Sequence, residues 1–156
     1  MSGTRFVKDS QVFTTQLILP NDTNQMGNLL GGTLMHWIDI AAAISAQRHA
    51  GMVCVTASVD EINFHTPVKL GEIVTLQASV NRVFRTSMEV GVVVTALGKG
   101  NDPSRRANNA YLTFVAIDDK GRPVDVIPIV PETDDEKRRF AEALERREFR
   151  LRRRAR

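Results

Sequence analysis

The sequence predicts an α+β fold in which one antiparallel sheet wraps around a long helix, with a further helix at the C-terminal end. Three observations carry this. After Gly31-Gly32 comes a helix-forming run of about 16 residues whose apolar side chains, among them Leu34, Trp37, Ile38, Ile44 and Ala46, fall on every face, the pattern of a buried helix. For about 65 residues beyond Gly51 the pattern is extended and β-branched, with turn chemistry between segments. From Thr133 a charged, helix-forming stretch closes the chain.

The elements follow in order. Val12 to Leu19 is β-branched and aromatic enough for a strand, ended by the turn residues Pro20-Asn21-Asp22-Thr23-Asn24. Gly27 and the Gly31-Gly32 pair lead into the central helix, which stops at Gly51. In Val53 to His65 the apolar period shifts sides near Asp60-Glu61, where a bulge is expected. Ile73 to Phe84, Met88 to Leu97 and Ala110 to Ile117 complete a meander of antiparallel strands, with the segment at 99–106 read as a hydrophilic loop. Thr133 and Glu136 form a capping box, and Phe140, Leu144 and Leu151 give the last helix a thin apolar stripe.

The 156 residues suit one domain, expected over residues 8–131, followed by the C-terminal helix and a basic tail at 132–156. The N-terminal residues lack a signal-peptide core and no apolar run is long enough for a bilayer, so a cytoplasmic protein is expected, as the single cysteine, Cys54, also suggests. Residues 146–156 hold seven arginines against one glutamate, so the net charge of +3 leaves positions 1–145 mildly acidic at −3. A basic tail suits a solvated end or a phosphate partner, whereas an acidic body without a helix-turn-helix candidate argues against nucleic acid. No P-loop, dinucleotide fingerprint or nucleophile elbow is present, and the three histidines lack metal-ligand spacing.

The residue that asks for an explanation is Asp39, an acid about two turns into an apolar helix, where desolvation works against it. One explanation is structural, a cap or His36 one turn back; the other is chemical, a general base or water-orienting acid. The unpaired amides at the helix start, around Gly31, Gly32 and Thr33, are natural oxyanion donors. They lie about 10 Å from Asp39 at 1.5 Å per residue, so one chain does not easily bring both to one carbonyl. Two copies with their central helices side by side do, and the second copy also covers the helix face the sheet leaves open. An obligate dimer is therefore expected.

The motifs GNLLGG (Gly27 to Gly32), WIDIAAAISAQRHAG (Trp37 to Gly51), VTASVDEINF (Val55 to Phe64), RTSMEVGV (Arg85 to Val92) and VPETDDEKRRF (Val130 to Phe140), in this order over most of residues 10 to 150, resemble the hotdog-fold acyl-CoA thioesterases of the cytosolic acyl-CoA hydrolase type. The resemblance implies a hotdog fold, hydrolysis of acyl-CoA to fatty acid and CoA, no metal or separate cofactor, and a trimer of dimers. It implies a catalytic pair at Asn28 and Asp39, one from each subunit. It also implies CoA contacts at Ala57, Ser58 and Val59, at Thr86, Ser87 and Met88, and at an arginine of the last helix aligned with Arg147 or Arg146. Two alternatives stand beside it. One is a hotdog hydroxyacyl dehydratase, which needs a histidine not evident near the turn. The other is a non-catalytic acyl-CoA-binding module.

Overall fold

The computed structural model describes residues 3–60, 62–64, 66–100 and 102–155. Its elements are β1 (Arg5–Phe6), β2 (Val12–Leu17), α1 (Gly31–Ala50), β3 (Cys54–Val59), β4 (Ile73–Val83), β5 (Ser87–Leu97), β6 (Arg105–Ala116), β7 (Ile129–Val130) and α2 (Asp134–Arg154). Five strands form one antiparallel sheet in the order β2-β4-β5-β6-β3, and the sheet curls around α1. This is the hotdog arrangement.

Period-two alternation builds the core. Val74, Leu76, Ala78 and Val80 on β4, Met88, Val90, Val92 and Val94 on β5, and Leu112, Phe114 and Ala116 on β6 all point to the helix side and are buried. Facing them, α1 buries Leu34, Ile38, Ala41, Ala42 and Ala46, and the alanines let helix and sheet approach closely. Gly51 stops the helix in the left-handed region at φ 71°, its N–H bonded to Gln47 O at 2.8 Å. His49, in the last turn, is buried; its Nε2 sits 2.7 Å from Ile127 O, and burial holds its pKa below the usual histidine value.

Several expectations are corrected. α1 is 20 residues long, beginning at Gly31 itself, because both glycines are inside its first turn. β3 is not a neighbour of β4 in a simple meander but crosses to the far edge and pairs with β6. The bulge lies at Ala57, where the β3–β6 register shifts between Thr56 and Ser58, and not near Asp60; Glu61 and His65 lie outside the described residues. Val55, Ala57 and Val59 are exposed. β6 begins at Arg105 and takes up part of the segment expected as a loop, since Arg105 and Arg106 pair with Ala96 and Thr95 of β5. The short parallel pair β1–β7 has too few residues to show a periodic signal.

The capping box of α2 is as expected: Glu136 N donates to Thr133 Oγ1 at 3.0 Å while Glu136 Oε1 accepts from Thr133 N. α2 lies on the outer face of the sheet, Phe140 under the Arg82 guanidinium, but its stripe differs from the expected one: Ala143 is buried and Leu151 is exposed. Among the described residues no helix is long and apolar enough to cross a membrane.

The α1 surface away from the sheet stays open in the single chain. Met35 and Ile40 are each 43 % exposed on it, and Val53 just before the adjacent edge strand β3 and Val55 and Val59 on it are exposed; among the described residues the outer edge of β3 has no partner strand. Such an apolar stripe beside a free strand edge favours cover by another chain.

Candidate active site

The turn that precedes α1 is held from two sides. Asn24 accepts from the N–H groups of Met26 (2.9 Å) and Asn28 (3.2 Å) through Oδ1, an Asx-type arrangement, and Gly27 takes φ 77° to close it. Leu29 N then donates to Val68 O at 2.6 Å and Leu70 N to Gly27 O at 3.0 Å, joining the turn to the segment before β4. That segment is clamped in turn by Arg105, whose guanidinium grips Glu72 at 2.8 and 3.0 Å and Pro67 O at 2.9 Å. These bonds hold the Glu72 carboxyl below the usual carboxylate range.

The turn delivers the chain to the helix start. Leu34 N donates to Leu30 O, so the amides of Gly31, Gly32 and Thr33 have no acceptor within the helix. A side chain at Gly31 would touch the Phe64 ring at 3.5 Å, while the space beside Gly32 is open. Gly32 lines a cavity of about 300 Å3 with Met35, His36, Asp39, Thr56 and Val59. Asp39 is half-buried there, and its Oδ1 accepts from Thr56 Oγ1 at 2.7 Å. Its partner is therefore a β3 hydroxyl and not His36. Sequence reasoning missed Thr56; the available signal was its place on the strand facing the helix, one of the few polar groups there.

On the outer side of β3, Ala57, Ser58, Thr86, Ser87 and Arg147 line a second cavity of about 220 Å3 together with Arg150. Five of the residues expected to meet CoA thus come together from three separate segments. Met88 does not join them, since its side chain is fully buried in the core. Val59 stands between the Asp39 cavity and a third, of about 790 Å3, which reaches along the end of α2 and shares Ser58 with the second. The three spaces thus share lining residues along β3, with an acid at the first and arginines at the other two. Neither Asn28, Gly31 nor Thr33 lines these cavities.

The arginines divide into two kinds. Arg146 places Nε and Nη2 at 2.9 and 2.6 Å from Glu89 Oε1 and stacks on Tyr111, and Arg150 pairs with Asp60 at 3.1 Å. Arg147 lies over the Phe84 ring at 4.6 Å and makes no ion pair among the described residues, which leaves its donors available. Of the two expected alternatives, Arg146 is committed to the protein and Arg147 is not.

Residues 26–101 match the thioesterase superfamily. The uncharacterized acyl-CoA thioester hydrolase YkhA of Bacillus subtilis is 43% identical over 85% of this chain and 77% of its own. The chain belongs to the acyl-CoA thioester hydrolases of the thioesterase superfamily. Mammalian family members are longer: the chain spans 25% of mouse acyl-coenzyme A thioesterase 11, at 40% identity, and 36% of the human cytosolic acyl coenzyme A thioester hydrolase, at 38%. They match over 96% and 87% of this chain, respectively. Among solved structures, the Staphylococcus aureus acyl-CoA hydrolase in complex with butyryl coenzyme A, coenzyme A and coenzyme A disulfide superimposes with a TM-score of 0.92 at 39% identity, over 98% of this chain and 93% of that one. Versions of that enzyme with an aspartate, an asparagine or a threonine changed to alanine superimpose equally well. An apo-hexameric acyl-CoA thioesterase superimposes at 0.94 with 36% identity, over 97% of each chain.

Proposed function

We propose that the protein hydrolyses acyl-CoA thioesters to a fatty acid and CoA at a site completed by a second copy of the chain. The observation that carries this is the Asp39–Thr56 pair in a cavity on β3, the same strand whose Ser58 lines the Arg147 cavity. Thr56 donates to one carboxylate oxygen and leaves the other for a water. The water oxygen attacks the thioester carbonyl carbon while its proton passes to Asp39. The helix-start amides of the partner chain stabilise the oxyanion. The tetrahedral intermediate collapses with cleavage of the C–S bond, and the CoA sulfur takes the proton from Asp39. No cofactor enters this scheme, because CoA is part of substrate and product.

The spacing of the altered residues in the S. aureus enzyme supports the assignment and refines it. Its aspartate and threonine are 17 positions apart, as Asp39 and Thr56 are. Its asparagine precedes the aspartate by 15 positions, the spacing of Asn24 rather than Asn28. Asn24 also has the better geometry, since two backbone amides fix its Oδ1 and leave its Nδ2 as the donor of an oriented amide. We therefore assign the asparagine role to Asn24, with Asn28 serving the turn backbone.

Measuring free thiol released from acetyl- to palmitoyl-CoA with a colorimetric reagent tests the activity. Cys54 should add little background, because burial pushes its thiol pKa up to about 11. Turnover of no acyl-CoA in the panel would overturn the reading and favour a binding module; hydration of an enoyl-CoA without thiol release would favour a dehydratase.

Assembly beyond the dimer fits a second surface. Leu17, Ile73 and Leu97 are register partners on three adjacent strands and form an exposed apolar line on the sheet's outer face. We assign this line to contacts between dimers in a trimer of dimers, supported by the hexameric relative. Leu17→Glu with Ile73→Glu should convert hexamers to dimers by light scattering; an unchanged mass would refute the assignment. The cytosolic relatives support a cytoplasmic location, which recovery of the protein in an exported fraction would contradict.

A further inference from the structure

Glu89 is the most deeply buried acid among the described residues, at 0 % exposure, on the outer-face side of β5 and opposite Thr113 of β6. Its Oε1 receives Arg146 twice and Asn81 Nδ2 at 3.2 Å, and the Arg146 guanidinium lies over the Tyr111 ring, 3.7 Å from its centre. Stability alone gives little reason for such a pair, because an apolar substitute of equal volume commonly does as well. The surroundings suggest another reason. α2 is highly charged, with only Glu136 and Ala143 fully buried, so apolar packing holds its rotation about its own axis weakly. A helix turned by one position, about 100°, would exchange Arg146 and Arg147.

We propose that Glu89 is a positioning residue: its grip on Arg146 sets the rotation of α2 on the sheet, so that Arg147 is the guanidinium presented to the phosphates of CoA. The proposal rests on the acyl-CoA reading above. The helical spacing agrees with it. Arg147, Arg150, Leu151 and Arg154 share the face that lines the smaller cavity, while Arg146 faces the sheet. Asp60, just past the end of β3, repeats the device one turn later by holding Arg150, so two acids fix two arginines four residues apart. Arg147 is left between them without an acid of its own among the described residues.

The test compares Glu89→Gln, which keeps shape and removes charge, with Arg147→Ala, using one acyl group carried either on CoA or on pantetheine, which lacks the nucleotide phosphates. Glu89→Gln should raise KM for the acyl-CoA by about three- to tenfold, keep kcat within about twofold, and leave kcat/KM for the acyl-pantetheine unchanged, as expected when an arginine–phosphate contact is misaligned. Arg147→Ala should show the same selective loss, at least as large. Should Glu89→Gln not fold, Arg146→Lys, which keeps the charge and loses the two-pronged contact, carries the test with the same selectivity. If Arg147→Ala is selective and the Glu89 and Arg146 variants are not, the positioning role is refuted and the CoA reading stands. Equal losses on both substrates would reduce Glu89 to a structural group. If Arg147→Ala itself has no effect, the placement of the phosphates fails, and the proposal with it.

Discussion

Asp39→Ala is expected to lower kcat by at least about a hundredfold, the range for loss of a general base, while the assembly keeps its mass. The geometry leaves no obvious substitute on the same chain. Among the described residues lining the Asp39 cavity, His36 is the only other side chain of a general-base type, and it makes no hydrogen bond to Asp39 or Thr56. The half-buried position of Asp39 and its hydrogen bond to a single threonine also make the change structurally mild, since no ion pair is broken. Thr56→Val should cost less than Asp39→Ala, because it removes the group that orients the acid and keeps the acid itself. Initial rates with saturating acyl-CoA, alongside light scattering, decide the matter. Activity near the unaltered level would remove Asp39 from the chemistry.

The second large effect concerns the shared site. Asp39→Ala and Asn24→Ala, each nearly inactive alone, should recover activity when the two chains are unfolded together and refolded as a mixture. If each site takes its acid from one chain and its asparagine turn from the other, a mixed dimer carries one site with both defects and one with none. Random pairing through a two-fold interface then restores about a quarter of the unaltered activity. No restoration, with mixed dimers demonstrated by a size tag on one chain, would mean that acid and turn act within a single chain. The apolar face of α1 and the exposed valines of β3 are the reason to expect the first result.

Much of the site was legible in the sequence because its parts are local. A lone acid in an apolar helix, a glycine pair at a helix start and an arginine cluster are each visible in a few consecutive residues, and Asp39, Gly32 and Arg147 all line the cavities described. Thr56 was not legible, since a threonine in a strand is ordinary until the strand is placed against the helix. Met88 differs from its neighbours in a way the motif does not show: Thr86 and Ser87 line the cavity, while strand alternation turns the Met88 side chain into the core. Arg146 and Arg147 are indistinguishable by composition, and only the position of Glu89 separates their roles.

By itself the sequence determined the long helix, its glycine boundaries, the capping box at Thr133, the alternation of the strands and the family, because each follows from neighbouring residues or from their order. Tertiary structure decided the rest. It sent β3 to the far edge beside β6, moved the bulge to Ala57, gave Asp39 its hydroxyl partner and paired one of two adjacent arginines with Glu89. The physical reason is that pairing between distant segments depends on which hydrogen-bonding edges and apolar faces remain open after the local elements have formed, and periodicity along the chain carries no record of that.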